Sequence, residues 1–350
     1  MNMEALVREK PLWLRKTDAS ALLAVRLKLS RNLEKYPFPS QASLMEKSMV
    51  FQEVTTASQR LSPQYEVLNI SSLHDVEKTL LFERDYISLA VTKEDGDRGV
   101  ALHQSEPIMT VNGENHLALF ADVSPACMAE GWKRVNDADT VLGEYLPYAY
   151  TDKNGFLLSR VKDCGTGLSV EGTMHLPALV LTDTITDVLS GISQLGCAAE
   201  GKFRAGSDAW GALFTVTAGA YAGDTEEEIM AQAEDVFASV AEKEKEARRI
   251  LMEEAPLELE DKVFRSLGYL KYARLLSISQ MLNLTSNIRL GIACGIVDFC
   301  SVDTINSITA ELMQSSIALS SEIDSPTSDT LDRLRADRAR RFLELEHGLS

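Results

Sequence analysis

The sequence predicts an α+β fold, in which an antiparallel sheet flanked by helices is followed by an all-α C-terminal domain. Three observations support this class. Short apolar runs follow one another between residues 100 and 122, apolar helical stretches separate further strand-like runs, and the pattern after Pro256 is helical throughout. Because the 350 residues exceed the roughly 150 of an average domain, we expect two domains, at residues 1–254 and 255–350.

The first predicted strands form a β-meander. The runs VALHQS, PIMTVN and HLALFAD are separated by Ser105-Glu106-Pro107 and by Asn112-Gly113, which are typical turn residues. Asn-Gly between two apolar runs is also a strong signal for a hairpin turn. Further strand-like runs lie at residues 155–159, 173–176 and 212–221, and the helical stretch at residues 177–195 lies between them.

Helical patterns close the first predicted domain and fill the second. Thr225 and Glu228 form a capping box, and apolar residues then recur at helical spacing as far as the charged segment EKEKEARR. After Pro256, helical patterns continue through MLNLTSNIRLGIACGI and resume after Ser301 and after Ser328. The last helix is rich in arginine, a composition that suits an acidic partner.

Composition and charge exclude several classes of partner. The chain has 35 basic and 52 acidic residues, and its net charge of −17 repels nucleic acid and anionic membranes. A phosphate site therefore requires a local cluster of cations. The five cysteines show neither a CxxC pair nor zinc-ligand spacing, so we expect no metal site. The sequence shows neither a signal peptide nor an apolar run of about 18 residues, and we predict a cytoplasmic protein.

Six segments carry motifs with chemical meaning. In chain order they are AVRLKLSRNLEKYPFPS (24–40), VNGENHLALF (111–120), VKDCGTGLSVEGTMHLPALVLTD (161–183), AEGKFRAGSDAWGALF (199–214), MLNLTSNIRLGIACGIV (281–297) and LDRLRADRARRF (331–342). Together they resemble the motifs of the bacterial protein-arginine kinase family, within the phosphagen (ATP:guanido) kinases. The strings GTGL and HLPAL match the family pattern without gaps, which fixes the alignment of the third segment.

The resemblance implies a role for individual residues. Glu114 falls on the family's catalytic glutamate, which holds the substrate guanidinium, and Asp208 stands at the second guanidinium-binding position with a side chain one methylene shorter. Contacts with ATP are implied for Arg26, Lys28 and His116. Arg204 is a further candidate cation for the phosphates, although it lies outside the family position.

Other family positions have changed. The remaining phosphate-contacting arginines are replaced by Ala118, Ser169 and Glu200, and Arg160 occupies the position of the reactive cysteine. Cys164 lies further along the chain and is expected to be an unreactive thiol. Since a hydrogen bond to a charged group contributes about 1.5–3 kcal/mol, these replacements predict weak binding of ATP and identify a degenerate member of the family.

Three functions therefore remain open. The chain could be an impaired family member that serves as a regulatory or binding protein in protein quality control, or a working protein-arginine kinase with a rearranged site for ATP and Mg²⁺. It could also bind phosphoarginine through Asp332 and Arg335, although a solvated basic helix explains the same residues. The resemblance further implies a homodimer formed by the helical domain, with a zinc-finger activator and a Clp-type unfoldase as partners.

Overall fold

The computed structural model describes residues 6, 9–88, 91, 95–203, 209–219, 224–321 and 326–345. Its Cα packing divides the chain into two compact units. Unit 1 comprises Met1–Glu9, Val25–Glu171 and Thr217–Ala233, and unit 2 comprises Lys10–Ala24, Gly172–Val216 and Glu234–Ser350. The proposed boundary between residues 254 and 255 stays a prediction.

An antiparallel sheet with helices around it confirms the predicted fold class. The described strands are β1 (Leu22–Arg31), β2 (Glu66–Asn69), β3 (Gly99–Leu102), β4 (Ile108–Val111), β5 (Leu117–Val123), β6 (Tyr150–Thr151), β7 (Gly155–Phe156), β8 (Leu168–His175), β9 (Ala198–Gly201) and β10 (Leu213–Gly219). The main sheet has the order β2-β3-β4-β5-β1-β8-β10-β9, and β6 pairs with β7 separately. The predicted meander is confirmed as β3-β4-β5.

The helices that the sequence predicted are present, except that one of them is divided. Those described are α1 (Leu44–Leu61), α2 (Asp75–Glu83), α3 (Met128–Gly143), α4 (Pro177–Leu181), α5 (Ile185–Gln194), α6 (Glu226–Glu254), α7 (Pro256–Tyr272), α8 (Ile278–Ala293), α9 (Val302–Leu312), α10 (Gln314–Ser320) and α11 (Ser328–Leu345). The stretch at residues 177–195 is two helices rather than one. Asp183 interrupts it with a φ of 58°, a left-handed conformation that an α-helix cannot contain.

The capping box at the start of α6 is present. Thr225 N donates to Glu228 Oε2 at 2.8 Å, and Glu228 N donates to Thr225 Oγ1 at 3.2 Å. The helix continues through the charged segment where the apolar pattern stops. Arg249 supports that part through Glu246 at 2.6 Å and Glu253 at 2.5 Å, at the spacing of one helical turn.

Each unit has an apolar core of its own. The core of unit 1 includes Leu80, Leu81 and Val100, which are almost fully buried. The core of unit 2 joins residues from its helices, such as Ile308 and Ala336, with Trp13 near the start of the chain. In the described part of the chain, no helix has the length and apolar character to cross a membrane.

Candidate functional site

One face of the sheet in unit 1 carries the motif positions that the resemblance assigns to phosphate binding. Side chains alternate along β1, so Arg26 and Lys28 share a face and are half-buried, while the intervening Leu27 is buried. In the antiparallel register with β5, Ala118 lies opposite Ser30 on this same face. Ser169 lies on β8, the strand on the other side of β1.

Arg26 is held by groups of the protein itself. Its Nε donates to Asp122 Oδ1 at 2.6 Å and its Nη2 to Asp122 Oδ2 at 2.8 Å, which is the two-pronged geometry of a strong ion pair. A further hydrogen bond goes to the carbonyl oxygen of Asp85, and the guanidinium lies 4.1 Å from the ring centre of Phe120. Burial alone would lower the pKa of Arg26, but the Asp122 carboxylate raises it above its usual value. A nucleotide phosphate would have to compete with Asp122.

Lys28 is also paired with a carboxylate. Its Nζ lies 3.1 Å from Glu171 Oε1, and a third of the lysine side chain is exposed. An ammonium group cannot reproduce the planar fork of an arginine. Ala118 and Ser169 add no charge to this face. The two cations at motif positions, Arg26 and Lys28, are each paired with an acidic side chain.

The loop between β4 and β5 presents the second motif. It is a hairpin, as predicted, but the connection spans residues 112–116, and Asn112 N donates to His116 O at 3.0 Å. Asn112 takes the left-handed conformation, with φ of 54°. Its side-chain Nδ2 donates to the carbonyl oxygens of Lys47 and Asp97, each at 2.7 Å. The loop is thus anchored at its first residue, and Glu114 is exposed within it.

His116 is fully buried at the end of this loop. Its Nδ1 accepts a hydrogen bond from Leu33 N at 3.0 Å, and its Nε2 lies 2.9 Å from the carbonyl oxygen of Pro37. A neutral imidazole protonated at Nε2 satisfies both contacts. Burial lowers the pKa of His116, although the hydrogen bond to Pro37 opposes that shift. Its predicted contact with a nucleotide stays a prediction.

A buried asparagine pair ties this loop to the segment that follows β7. Asn115 Oδ1 accepts from Asn32 Nδ2 and from Ser159 N, both at 2.9 Å. Ser159 Oγ donates to the carbonyl oxygen of Glu114 at 2.6 Å. Asn115 therefore positions backbone that carries Glu114 on one side and Arg160 on the other.

Glu114, the candidate catalytic carboxylate, holds a guanidinium of its own chain. Glu114 Oε1 lies 2.8 Å from Arg160 Nε, and the same nitrogen lies 2.5 Å from Asp163 Oδ2. About half of each side chain is exposed, 47% for Glu114 and 56% for Arg160. Arg160, at the reactive-cysteine position, therefore pairs with the carboxylate that the resemblance assigns to the guanidinium of the substrate.

Several residues of this region escaped the sequence analysis. Buried Arg31 donates to Asp139 Oδ2 at 2.7 Å and to the carbonyl oxygen of Thr166 at 2.8 Å, and it stacks 3.6 Å from the ring centre of Phe156. At Gly167 the φ is 73° and a Cβ would lie 2.7 Å from the backbone oxygen of Ser30, so only glycine fits there. Asp122, Asp139 and Glu171 have no motif of their own. Only the alternation of side chains along the strands could have indicated Asp122 and Glu171.

Asp208 and Arg204 lie outside the described residues. Glu200, within unit 2, is exposed on β9. Cys164 is half-buried, and its sulfur accepts a hydrogen bond from Leu158 N at 3.2 Å. Among the residues that the structure describes, no group of three or more His, Cys, Asp or Glu side chains is arranged to hold a metal ion.

The candidate phosphoarginine residues lie on α11. Arg335 is buried, and its Nη1 donates to Asp332 Oδ1 at 2.7 Å and to the carbonyl oxygen of Leu276 at 2.8 Å. Its Nε donates to the carbonyl oxygen of Leu312 at 2.9 Å. These bonds join α11 to α9 and to the start of α8, which is a structural role. Binding of phosphoarginine by this pair stays a prediction.

Comparisons with known proteins agree over most of the chain. Residues 46–247 match the family "ATP:guanido phosphotransferase, C-terminal catalytic domain", and residues 256–348 match the "Protein-arginine kinase McsB C-terminal domain". The protein-arginine kinase of Halothermothrix orenii is 34% identical over 299 residues, which cover 85% of this chain and 84% of that protein. That of Halalkalibacterium halodurans is 30% identical over 340 residues, or 95% of each chain.

Solved structures with a similar fold include a lombricine kinase and a taurocyamine kinase. Lombricine kinase aligns with a TM-score of 0.55 and 16% identity, covering 66% of this chain and 68% of its own. The duplicated taurocyamine kinase of Schistosoma mansoni, with bound transition state analog components, aligns with a TM-score of 0.57 and 15% identity over 86% of this chain and 50% of its own. At such identities the likeness concerns the fold alone.

Proposed function

Because the chain belongs to the protein-arginine kinase family of ATP:guanido phosphotransferases, we propose that it is a guanidinium-binding regulatory protein in which phosphoryl transfer is weak or lost. One observation carries the proposal. On the sheet face of unit 1, both cations at phosphate-binding positions are paired with carboxylates, Arg26 with Asp122 and Lys28 with Glu171.

Phosphoryl transfer depends on cations that neutralise the phosphates. Arg26 and Lys28 offer little free charge on the described face, and Ala118 and Ser169 offer none. The loss of an arginine at each of these two positions removes charge-assisted hydrogen bonds of about 1.5–3 kcal/mol apiece. Weak ATP binding follows from this charge balance.

The guanidinium side of the site is better supported. Glu114 sits in an anchored loop and already forms an ion pair with a guanidinium, that of Arg160. Because both side chains are about half exposed, exchange of Arg160 for an arginine of a client protein needs no unfolding. Retained recognition of arginine with reduced nucleotide binding suits an adaptor or regulator of protein quality control.

The decisive experiment restores the missing charge. Isothermal titration with Mg²⁺ and ATP should give a dissociation constant weaker than about 100 μM, or about −5.5 kcal/mol, for the natural chain. The double variant Ala118→Arg, Ser169→Arg should bind at least tenfold more tightly, whereas the uncharged control Ala118→Gln, Ser169→Gln should not. Tight binding by the natural chain would sink the proposal.

A working protein-arginine kinase is the second candidate. The ion pair between Glu114 and Arg160 favours it, because the candidate catalytic carboxylate already holds a guanidinium. Radiolabelled ATP, an arginine-rich acceptor and a zinc-finger activator protein would be incubated with the chain, followed by an acid-lability test. Acid-labile label that disappears in Glu114→Gln would establish a rearranged but active arginine kinase that uses ATP with Mg²⁺. We expect no label above that of Glu114→Gln.

The proposed regulatory role requires protein partners. A Clp-type unfoldase, a zinc-finger activator and a second copy of the chain are the partners that the family resemblance favours, and phosphoarginine recognition through Asp332 and Arg335 is a further possibility. Co-purification with and without an arginine-phosphorylated peptide would test them together. Binding of that peptide unchanged in Asp332→Asn would remove the adaptor hypothesis.

A further inference from the structure

A small cavity lies wholly within unit 2, and none of the residues that the proposed function uses lines it. It has a volume of about 30 Å³ and is lined by residues from the start of the chain, from the end of β8 and from α8 and α9. A cavity needs about 10–15 Å³ to hold one water molecule. The space therefore admits a water molecule or a monatomic ion.

Three side chains that line the cavity have a buried nitrogen without a hydrogen-bond partner. These nitrogens are Trp13 Nε1, His175 Nδ1 and Arg289 Nε, and the three residues are 4%, 2% and 6% exposed. Indole and guanidinium N–H groups can only donate hydrogen bonds. Because an unpartnered buried polar group destabilises the folded state, these nitrogens need an acceptor, and the cavity that their side chains line offers a place for one.

Arg289 also brings a buried positive charge that no described carboxylate pairs with directly. Its Nη1 donates to Asn306 Oδ1 at 2.8 Å and its Nη2 to the carbonyl oxygen of Asp18 at 2.9 Å, so both partners are uncharged groups. No described carboxylate forms an ion pair with it. Burial lowers the pKa of Arg289 to about 10, and the positive charge of Arg248 adds to that shift while Asp18 opposes it.

His175 completes the donor set. Its Nε2 lies 2.8 Å from Ser286 Oγ, and when the serine hydroxyl donates to Nε2, the imidazole carries its proton on Nδ1. Burial lowers the pKa of His175 well below its usual value, and the charges of Arg289 and Arg248 act in the same direction. The ring is therefore neutral and can offer Nδ1–H to an anion.

We propose that this cavity binds a small monovalent inorganic anion of chloride size, held by Arg289, Trp13 and His175. A monatomic anion accepts hydrogen bonds from several directions and balances the charge of Arg289, which a water molecule cannot do. Within unit 2 the anion joins the segment that carries Trp13 to β8 and α8. Chloride is thus a structural ligand of this unit.

The test in solution compares anions at constant ionic strength. Thermal unfolding midpoints would be measured in sodium gluconate with increasing sodium chloride or sodium bromide. We expect a saturable rise with either halide, because a ligand that binds only the folded state stabilises it. Sodium phosphate, with its larger anion, should not reproduce the rise.

Variants and diffraction decide between the outcomes. Arg289→Gln should abolish the halide effect, Trp13→Phe should weaken it, and Arg265→Gln, whose side chain is 79% exposed, should leave it unchanged. The Trp13 variant keeps the test decisive if Arg289→Gln does not fold. Crystals grown with bromide should show an anomalous peak in the cavity. A water molecule there instead, or a halide effect that is equal in all variants, would overturn the proposal.

Discussion

Two arginines of this chain are held by carboxylates in different ways, one in each unit. In unit 2 the side chain of Arg335 is 1% exposed, and it binds Asp332 and two backbone carbonyl groups on neighbouring segments. In unit 1 the side chain of Arg160 is 56% exposed, and it contacts Glu114 and Asp163. Arg335 belongs to the interior of unit 2, whereas Arg160 is exposed enough to be displaced from Glu114 by another guanidinium. A matching motif is therefore not sufficient evidence of a ligand contact.

The largest effect should come from Arg335. Replacement by alanine leaves the carbonyl groups of Leu276 and Leu312 and the carboxylate of Asp332 without their donor, and breaking such a buried pair costs about 3–5 kcal/mol. Urea unfolding of Arg335→Ala should show this loss of stability.

Arg333→Ala on the same helix is the control. Arg333 is exposed, and surface substitutions usually change stability by less than about 0.5 kcal/mol. Equal stability of the two variants would break the comparison, because Arg335 would then be as replaceable as a surface residue.

Arg160→Ala should have a moderate effect, and on binding rather than on stability. If Glu114 receives the guanidinium of a client protein, as proposed, removal of Arg160 frees the carboxylate. An exposed ion pair contributes about 0.2–1 kcal/mol, so an arginine-rich peptide should bind up to about fivefold more tightly. Isothermal titration of the peptide measures this gain.

Two controls identify the cause of that gain. Lys162→Ala removes a neighbouring exposed cation without freeing Glu114 and should not tighten binding. The double variant Arg160→Ala, Glu114→Gln should lose what Arg160→Ala gains. A gain that survives in the double variant would show that the peptide does not use Glu114.

Local patterns were sufficient for several parts of the fold. The meander, the capping box at Thr225 and the helical region after Pro256 depend on neighbouring residues, and all appear as predicted. The stretch at residues 177–195 was predicted wrongly as continuous. Its break at Asp183 is a backbone conformation of one residue, which apolar periodicity does not report.

The site was harder to predict because its charge balance depends on strand pairing. Asp122 neutralises Arg26 from 96 positions away, through the register of β1 with β5. Glu171 reaches Lys28 from β8 in the same way. The motifs therefore identified cations at the phosphate positions but not the acids that pair with them.

His116 marks where the exchangeable part of unit 1 ends. It lies two residues after Glu114, yet its ring is fully buried and bonded to Leu33 N and Pro37 O. Because burial lowers the pKa of this imidazole, the unfolded chain binds the proton more readily than the folded chain does. Stability should therefore fall as the pH drops below about 6.5, the usual histidine pKa.

Urea unfolding at pH 7.5 and pH 5.5 measures this dependence, and His116→Asn isolates the part that belongs to His116. The natural chain should lose more stability between the two pH values than the variant does, by up to about 1.4 kcal/mol in total, because only one pH unit of this window lies below the usual histidine pKa. In the natural chain, the imidazole NMR signals of His116 should stay those of the neutral ring at pH 6. An equal pH dependence in both chains would mean that His116 titrates freely, and the interior of unit 1 would then begin beyond this residue.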